Sequence, residues 1–248
     1  MPEGPSIIIL KEAVQQFKNK KILKVEGNSK LDIQRINGRK IIDFKSWGKH
    51  FLICFDDFTV RIHFMLFGSY RINEGKETPP RLRLIFKKGE LNFYACSVKF
   101  IEEYIDGIYD WTSDVMSDKW DRKAAKKKMK QRPDALICDV LLDQNIFAGV
   151  GNIIKNEVLF RTHTHPENKV KNIPAAKMNE LIKEARDYSF DFLKWKKNFV
   201  LRKHWLAHTK KICPRDQIPF IKKYLGKTNR RTFYCEMCQV LYDTNKKT

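Results

Sequence analysis

Apolar and polar positions change their rhythm three times along this chain. In residues 6–18, SIIILKEAVQQFK, the apolar residues Ile8, Ile9, Ala13, Val14 and Phe17 approximate one helical face, with Ser6 as a candidate N-cap. From about residue 21 to 101 the runs shorten and become β-prone: ILKVEG, GRKIIDFKSW, HFLICFDD, TVRIHFMLFGSYRI, RLRLIFKK and ELNFYACSVKFI. Gly38, Gly48, Gly68, Gly75 and Gly89 punctuate them, and Lys88-Gly89 reads as a hairpin turn. Many short strands with turn signals predict a β-sandwich or barrel rather than alternating βα units. From 134 to about 209 the pattern is helical. ALICDVLLDQNI and Asn152–Phe160 are two segments, and the run from Ala175 to His208 supplies one or two longer helices. The tail, 211–243, is too short for an apolar core of its own.

Charge sharpens the boundary between these regions. Residues 102–121 hold seven acids and one lysine, whereas 122–132 hold seven bases and no acid, ending at Arg132-Pro133. The expected organisation is an N-terminal β-domain over 1–113, a linker over 114–131, a helical domain over 132–210 and a tail module over 211–243. The fold class is therefore multi-domain α+β, an N-terminal β-sandwich with one leading helix followed by helices.

With 248 residues, 42% of them apolar, the chain can build real cores. Its 17 Phe, 8 Tyr and 5 Trp exclude a disordered basic tail. No stretch approaches the roughly 18 uncharged apolar residues of a membrane span. MPEGPSIIILKEAV places no Lys/Arg-rich leader before its short apolar run, so no secretory signal is expected. Cys54, Cys96 and Cys138 sit alone in apolar contexts, as buried reduced thiols do. A cytoplasmic, nucleoid-associated monomer of bacterial type is expected. The formal net charge of +20 points to a polyanionic partner, nucleic acid before membrane.

Three features carry chemistry. Pro2 follows the initiator Met, and loss of Met1 would expose a secondary amine with a pKa several units below that of lysine. Such an amine can attack a sugar C1′ and form an iminium adduct, with Glu3 beside it to move protons. Second, Ala148-Gly-Val-Gly-Asn152 is a glycine turn opening a helix, either a phosphate seat or an ordinary capped turn. Third, Cys235-Glu-Met-Cys238 has the spacing of a zinc half-site. The upstream partner reads Cys213-Pro-Arg-Asp216, so three Cys and Asp216 would close a tetrahedron; His208 is the rival fourth ligand. Zinc would supply the folding energy that the tail lacks.

Together these features resemble the formamidopyrimidine-DNA glycosylase and endonuclease VIII family, on four motifs in order. MPEGP is similar to its catalytic N-terminus in the endonuclease VIII form. Trp47-Gly-Lys-His50 resembles the motif of its β-domain lysine. LLDQNIFAGVGNIIKNEVLF, 141–160, resembles its helix–two-turn–helix signature, and Arg230-Arg-Thr-Phe-Tyr-Cys235-Glu-Met-Cys238-Gln239 its zinc-finger signature.

The resemblance implies a bifunctional glycosylase and abasic-site lyase on damaged double-stranded DNA, seated in a basic cleft. Oxidised pyrimidines would be preferred, on Leu66 and Gly4. The alternatives are an oxidised-purine preference and a non-catalytic damaged-DNA-binding protein. By the same resemblance Pro2 is the nucleophile, Glu3 the acid/base and Lys49 the phosphate-gripping lysine. Gly151 and Asn152 hold backbone phosphate, and Arg230 grips the phosphates flanking the flipped nucleotide. Arg230 is chosen over Arg231 because two residues separate it from Phe233-Tyr-Cys235. Leu66, flanked by Met65 and Phe67, would fill the gap left by the flipped base. One structural zinc would sit on Cys213, Asp216, Cys235 and Cys238. Three positions depart from the family pattern: Ser6 where Glu is usual, Asp216 where the second zinc Cys is usual, and Ile154 where Tyr is commoner.

Overall fold

The computed structural model describes residues 2–242. Met1, whose removal the resemblance implies, and Asp243, the last residue of the expected tail, lie outside the described residues. The chain divides into two units, one ending at Asp110 and one beginning at Trp111.

The first unit opens with helix α1, Gly4–Ala13. It starts earlier than the apolar periodicity suggests. Glu3 is extended and occupies the N-cap position without a side-chain cap, Pro5 lies in the first turn, and Ser6 is inside the helix rather than capping it. Six strands follow: β1 Ile22–Glu26, β2 Asp43–Trp47, β3 His50–Cys54, β4 Thr59–Ile72, β5 Leu82–Phe86 and β6 Glu90–Ile101. Each falls within one of the six β-prone runs. They form one antiparallel sheet in the order β1-β5-β6-β4-β3-β2.

The two layers of the expected sandwich are two halves of this sheet, because β4 and β6 serve both. Thr59–Phe64 of β4 pairs with Cys96–Ile101, and Ser69–Ile72 pairs with Leu91–Tyr94, with a bulge between. Period-2 alternation sends Leu82, Leu84 and Phe86 inward, while Arg83 lies outward and bridges Glu26 and Glu90. One core collects both halves and the leading helix, with ring contacts Phe17–Phe86 and Phe51–Phe93. A short helix, α2 Ile105–Ile108, ends the unit.

The second unit contains α3 Arg122–Lys130, α4 Ile137–Val140, α5 Asn152–Arg161, α6 Ala175–Lys197 and the hairpin of β7 Ile221–Leu225 with β8 Arg230–Tyr234. Residues 114–131 are not a linker. Val115, Ala125 and Met129 belong to this unit's core, and Asp121 caps α3 through the amides of Lys123 and Ala124. The charge reversal marks a helix with a buried apolar edge, not a break between domains. ALICDVLLDQNI forms only the one-turn α4, after which the chain turns twice to reach α5. The helix α5 is buried on every side, including Lys155, Asn156 and Glu157.

Candidate functional site

The N-terminal candidates lie where α1 packs on β2 and β3. Pro2 is half-buried and Glu3 is buried; the Glu3 carbonyl accepts the amides of Ser6 and Ile7 and anchors the first turn. The tight β2–β3 turn is Gly48-Lys49, with Gly48 at a φ of 51°. Lys49 is only 9% exposed, an unusual degree of burial for an ammonium group. Around the turn sit Trp47, whose Nε1 donates to the Asp110 carbonyl at 2.9 Å, and His50, whose Nδ1 lies 3.2 Å from the Tyr109 hydroxyl. Burial, with Arg61, His63 and Lys49 nearby, pushes His50 down to about 3, and burial lowers His63 as well. Both imidazoles are therefore neutral near pH 7.

Met65, Leu66 and Phe67 sit on the β4 bulge, 55%, 58% and 84% exposed. Gly68 closes the bulge, and a Cβ there would lie 2.7 Å from Phe64 Cβ and 2.8 Å from the Ala95 carbonyl. The tight backbone approach thus turns three apolar side chains out to water, where they gain nothing unless something covers them. An apolar run after a strand is more often core, and the sequence alone leans that way here; the bulge puts these three side chains on the surface instead.

In the second unit Gln144 braces the turn before α5. Its Oε1 accepts the Gly149 amide, and its Nε2 donates to the Leu142 and Val150 carbonyls. Gly149 holds a φ of 100°, and Gly151 is the N-cap of α5. The Asn152 side-chain Nδ2 donates to the Arg231 carbonyl at 2.8 Å. Asn152 thus ties the α5 N-terminus, with its positive dipole end, to strand β8.

Further along α5, Lys155 Nζ donates to Thr232 Oγ1 at 2.7 Å, and Asn156 Oδ1 accepts the Phe233 amide. Glu157 accepts the amides of Leu206, Ala207 and His208. At the other end of the hairpin Asp139 holds the turn, accepting Lys227 N at 2.8 Å, Thr228 N at 3.2 Å and Thr228 Oγ1 at 2.9 Å. Gly226 has a φ of 69°, and any Cβ there would collide with the Asp139 carboxylate. Arg231 is committed to the Tyr224 hydroxyl, whereas Arg230 begins β8 half-buried beside the turn.

Cys213, Asp216, Cys235 and Cys238 present one ligand atom each, all within 4.8 Å of one another. Cys213 Sγ is 3.9 Å from Cys238 Sγ, and Asp216 Oδ2 is 3.4 Å from Cys213 Sγ and 3.1 Å from Cys235 Sγ. A tetrahedral zinc would set S–S edges of about 3.8 Å and S–O edges of about 3.6 Å, so the donor set fits that ion in number, chemistry and span. His208 lies outside the cluster. Its Nδ1 is 3.1 Å from Asn156 Nδ2, and burial with Lys155 and Arg231 nearby pushes it down to about 4.

Sequence reasoning missed Asp139, Gln144, Lys155 and Glu157. For Lys155 and Glu157 the signal was present in the run Lys155-Asn-Glu157, three consecutive polar residues within a helix that has no polar face to give them.

Two family models match the chain: the formamidopyrimidine-DNA glycosylase N-terminal domain over residues 1–99 and the formamidopyrimidine-DNA glycosylase H2TH domain over 112–189. The chain is 30% identical over 240 residues to endonuclease 8-like 3 of Xenopus laevis, covering 88% of this chain and 38% of that protein. It thus spans well under half of that relative's length. It is 26% identical to formamidopyrimidine-DNA glycosylase of Lactobacillus helveticus, over 98% of this chain and all of that protein. Its fold matches MutM in complex with DNA containing carbocyclic 8-oxo-G, with a TM-score of 0.85 and 20% identity over 96% of this chain and 100% of that one.

Proposed function

Because the chain belongs to the formamidopyrimidine-DNA glycosylase and endonuclease VIII family, we propose that it excises oxidised bases from double-stranded DNA and cuts the resulting abasic strand. One observation carries this reading above the others: Pro2 and Glu3 head a helix packed on the hairpin whose turn buries Lys49. A nucleophile, a proton carrier and a phosphate partner thus come from one small part of the first unit.

In this reading the freed Pro2 nitrogen attacks C1′ of the damaged nucleotide and the C1′–base bond breaks. The base leaves with the electron pair and a proton that Glu3 helps to deliver. The Pro2 nitrogen gives up its proton, the sugar ring opens at C1′–O4′ with a proton passing to O4′, and the Pro2–C1′ iminium so formed acidifies the C2′ proton. Its removal expels the 3′ phosphate by β-elimination, and a second elimination expels the 5′ phosphate. Lys49, the N-terminus of α5 with Gly151 and Asn152, and Arg230 hold phosphates, contacts that carry no base information and suit an enzyme acting at any sequence. Leu66, Met65 and Phe67 fill the space left by the flipped nucleotide.

Zinc is the metal we assign to Cys213, Asp216, Cys235 and Cys238, with a structural role at the base of the hairpin. The compartment we assign is the reducing one in which Cys54, Cys96 and Cys138 stay as buried thiols. Among the described residues no helix is long and apolar enough to cross a membrane.

Lesion preference divides two readings. Leu66 and Gly4 support oxidised pyrimidines. The family models and the 8-oxo-G-bound MutM support oxidised purines, and these comparisons give the purine reading the stronger support. Duplexes carrying thymine glycol, dihydrouracil, formamidopyrimidine and 8-oxoguanine, compared by kcat/KM, decide between them.

The catalytic reading is tested by borohydride trapping. Reduction during reaction with a damaged duplex fixes protein to DNA when Pro2 is the free N-terminus. A chain blocked there by a retained Met or a tag traps nothing, and equal trapping by the blocked chain would remove Pro2 as nucleophile. A duplex bound but never trapped or cut would favour the non-catalytic alternative.

A further inference from the structure

The helix α6 ends in a way that local energetics disfavour. The Val200 amide bonds the Trp195 carbonyl and the Phe199 amide bonds the Lys196 carbonyl, the paired bonds of a Schellman cap. Such a cap needs its C′ residue in the left-handed region, a place for glycine or asparagine. Here it is Phe199, at a φ of 59°. Asn198 stands immediately before it, with φ at -89°. The strain is not offset by burial, because Phe199 is 96% exposed. The surrounding loop is nevertheless fixed: His204 stacks on Trp195 with ring centroids 4.1 Å apart and planes 4° apart, and Lys203 N bonds the Val200 carbonyl. A rigid support therefore holds a phenyl ring out in water, in a backbone conformation that costs free energy.

The charge around it indicates what the ring meets. No acid occurs between Asp191 and Asp216, a stretch holding eight Lys and Arg. Five of these, Lys194, Lys196, Lys197, Arg202 and Lys203, are exposed and lie within five residues of Phe199. An aromatic among bases matches the chemistry of a nucleic-acid strand with an uncovered base: the ring offers a stacking face and the bases take the flanking phosphates. A paired base inside a duplex shows no free face, so the match is to unpaired nucleotides, at a strand end or in a single-stranded stretch.

We infer that the α6 cap is an accessory nucleic-acid contact in which Phe199 stacks on an unpaired base while Lys194, Lys197, Arg202 and Lys203 lie along its backbone. This rests on the reading that the protein handles DNA, but it does not use Pro2 or the phosphate grips assigned above.

The test is Phe199→Gly, which removes the ring and relieves the strained cap. Binding is read by anisotropy with a labelled thymidine oligonucleotide about 16 nucleotides long. Affinity should fall roughly 5- to 100-fold, the range for loss of one stacked base. The thermal midpoint should stay or rise, and Phe199→Tyr should bind like the parent. Borohydride trapping on a blunt abasic duplex should be unchanged. Undiminished oligonucleotide binding by Phe199→Gly overturns the inference. So does a lowered midpoint, which would mean that the ring packs within the fold, and so does lost trapping, which would place it in the catalytic site. Vesicles containing phosphatidylserine supply the other arm: if Phe199→Gly loses vesicle binding and keeps oligonucleotide binding, the surface is a membrane contact instead. A parent that binds the oligonucleotide through Phe199 but never traps on DNA would sink the catalytic reading and support this one.

Discussion

Replacing Asp139 by alanine should weaken DNA binding, although it removes a negative charge from a surface assigned to a polyanion. Asp139 accepts two amides and a hydroxyl from the Lys227–Thr228 turn, at 2.8, 3.2 and 2.9 Å, and that turn leads directly into Arg230. The carboxylate is half-buried, so each bond contributes about 0.5–1 kcal/mol and the set about 1.5–3 kcal/mol. If Arg230 reaches phosphate only from the tethered turn, the competent fraction falls accordingly and Kd rises by about 10- to 100-fold. Electrostatics alone gives the opposite sign, since one fewer acid strengthens phosphate binding slightly and more so at low salt. Anisotropy titrations of an abasic-analogue duplex across a salt series separate the two. Asp139→Ala should lose affinity with its logarithmic salt slope intact, because Arg230 still makes its contact once bound. Arg230→Ala should lose affinity together with up to roughly 0.9 of slope. Gly226→Ala should behave like Asp139→Ala, since its Cβ would displace the same carboxylate. An Asp139→Ala protein that binds as tightly as the parent, or more tightly, refutes the tether.

Lys49→Ala and Asn152→Ala should weaken binding to every lesion in a panel without reordering the panel, and Lys49→Ala should lower the salt slope by up to roughly 0.9; a reordered ranking would move that residue to the base pocket. Asp216→Cys should slow zinc loss to a chelator and Asp216→Ala should speed it, because a fourth thiolate suits the site better than a carboxylate; zinc retained equally by all three proteins would remove Asp216 from the shell. Stability should be full above about pH 6.5 and decline below it, because burial holds His50 and His208 neutral, down to about 3 and about 4, while unfolded imidazoles take up protons near 6.5. Urea midpoints measured from pH 7.5 downward check this, and a flat profile to about pH 4.5 contradicts it.

The β-domain was legible because a strand with one face on the core alternates, as RLRLIFKK does, and because ELNFYACSVKFI is a long β-prone run bounded by turn signals. What the alternation could not reveal was that β4 and β6 each run through both layers. That depends on one bulge, at Phe64–Ser69, where a glycine permits the backbone to close up. The same bulge converts Met65, Leu66 and Phe67 from candidate core to exposed surface. The α3 segment was misread for the opposite reason. Seven bases dominate its composition, while only Ala125 and Met129, one turn apart, reveal the edge that packs. The cluster of three Cys and Asp216 was legible from spacing. That Asp216 joins it and His208 does not is a matter of tertiary placement, since His208 is held against Asn156 by a segment whose amides are fixed on Glu157.

These attachments divide the control of Arg230 between two ends of one hairpin. Cys235 follows Tyr234, the last residue of β8, and Arg230 is the first, so five strand steps of about 3.3 Å each separate Cys235 from the arginine. Along that ladder a change at the cluster meets a strand whose middle is pinned to α5 by Lys155 on Thr232 and by Asn156 on Phe233. Asp139 acts at the turn itself, with no ladder between. With zinc bound as proposed, the cluster would hold the base of the hairpin, while Asp139 holds the turn from which its arginine extends. Partial loosening of the metal by Asp216→Ala should leave DNA affinity near that of the parent until the ion is lost. Asp139→Ala should lower affinity with the metal fully bound.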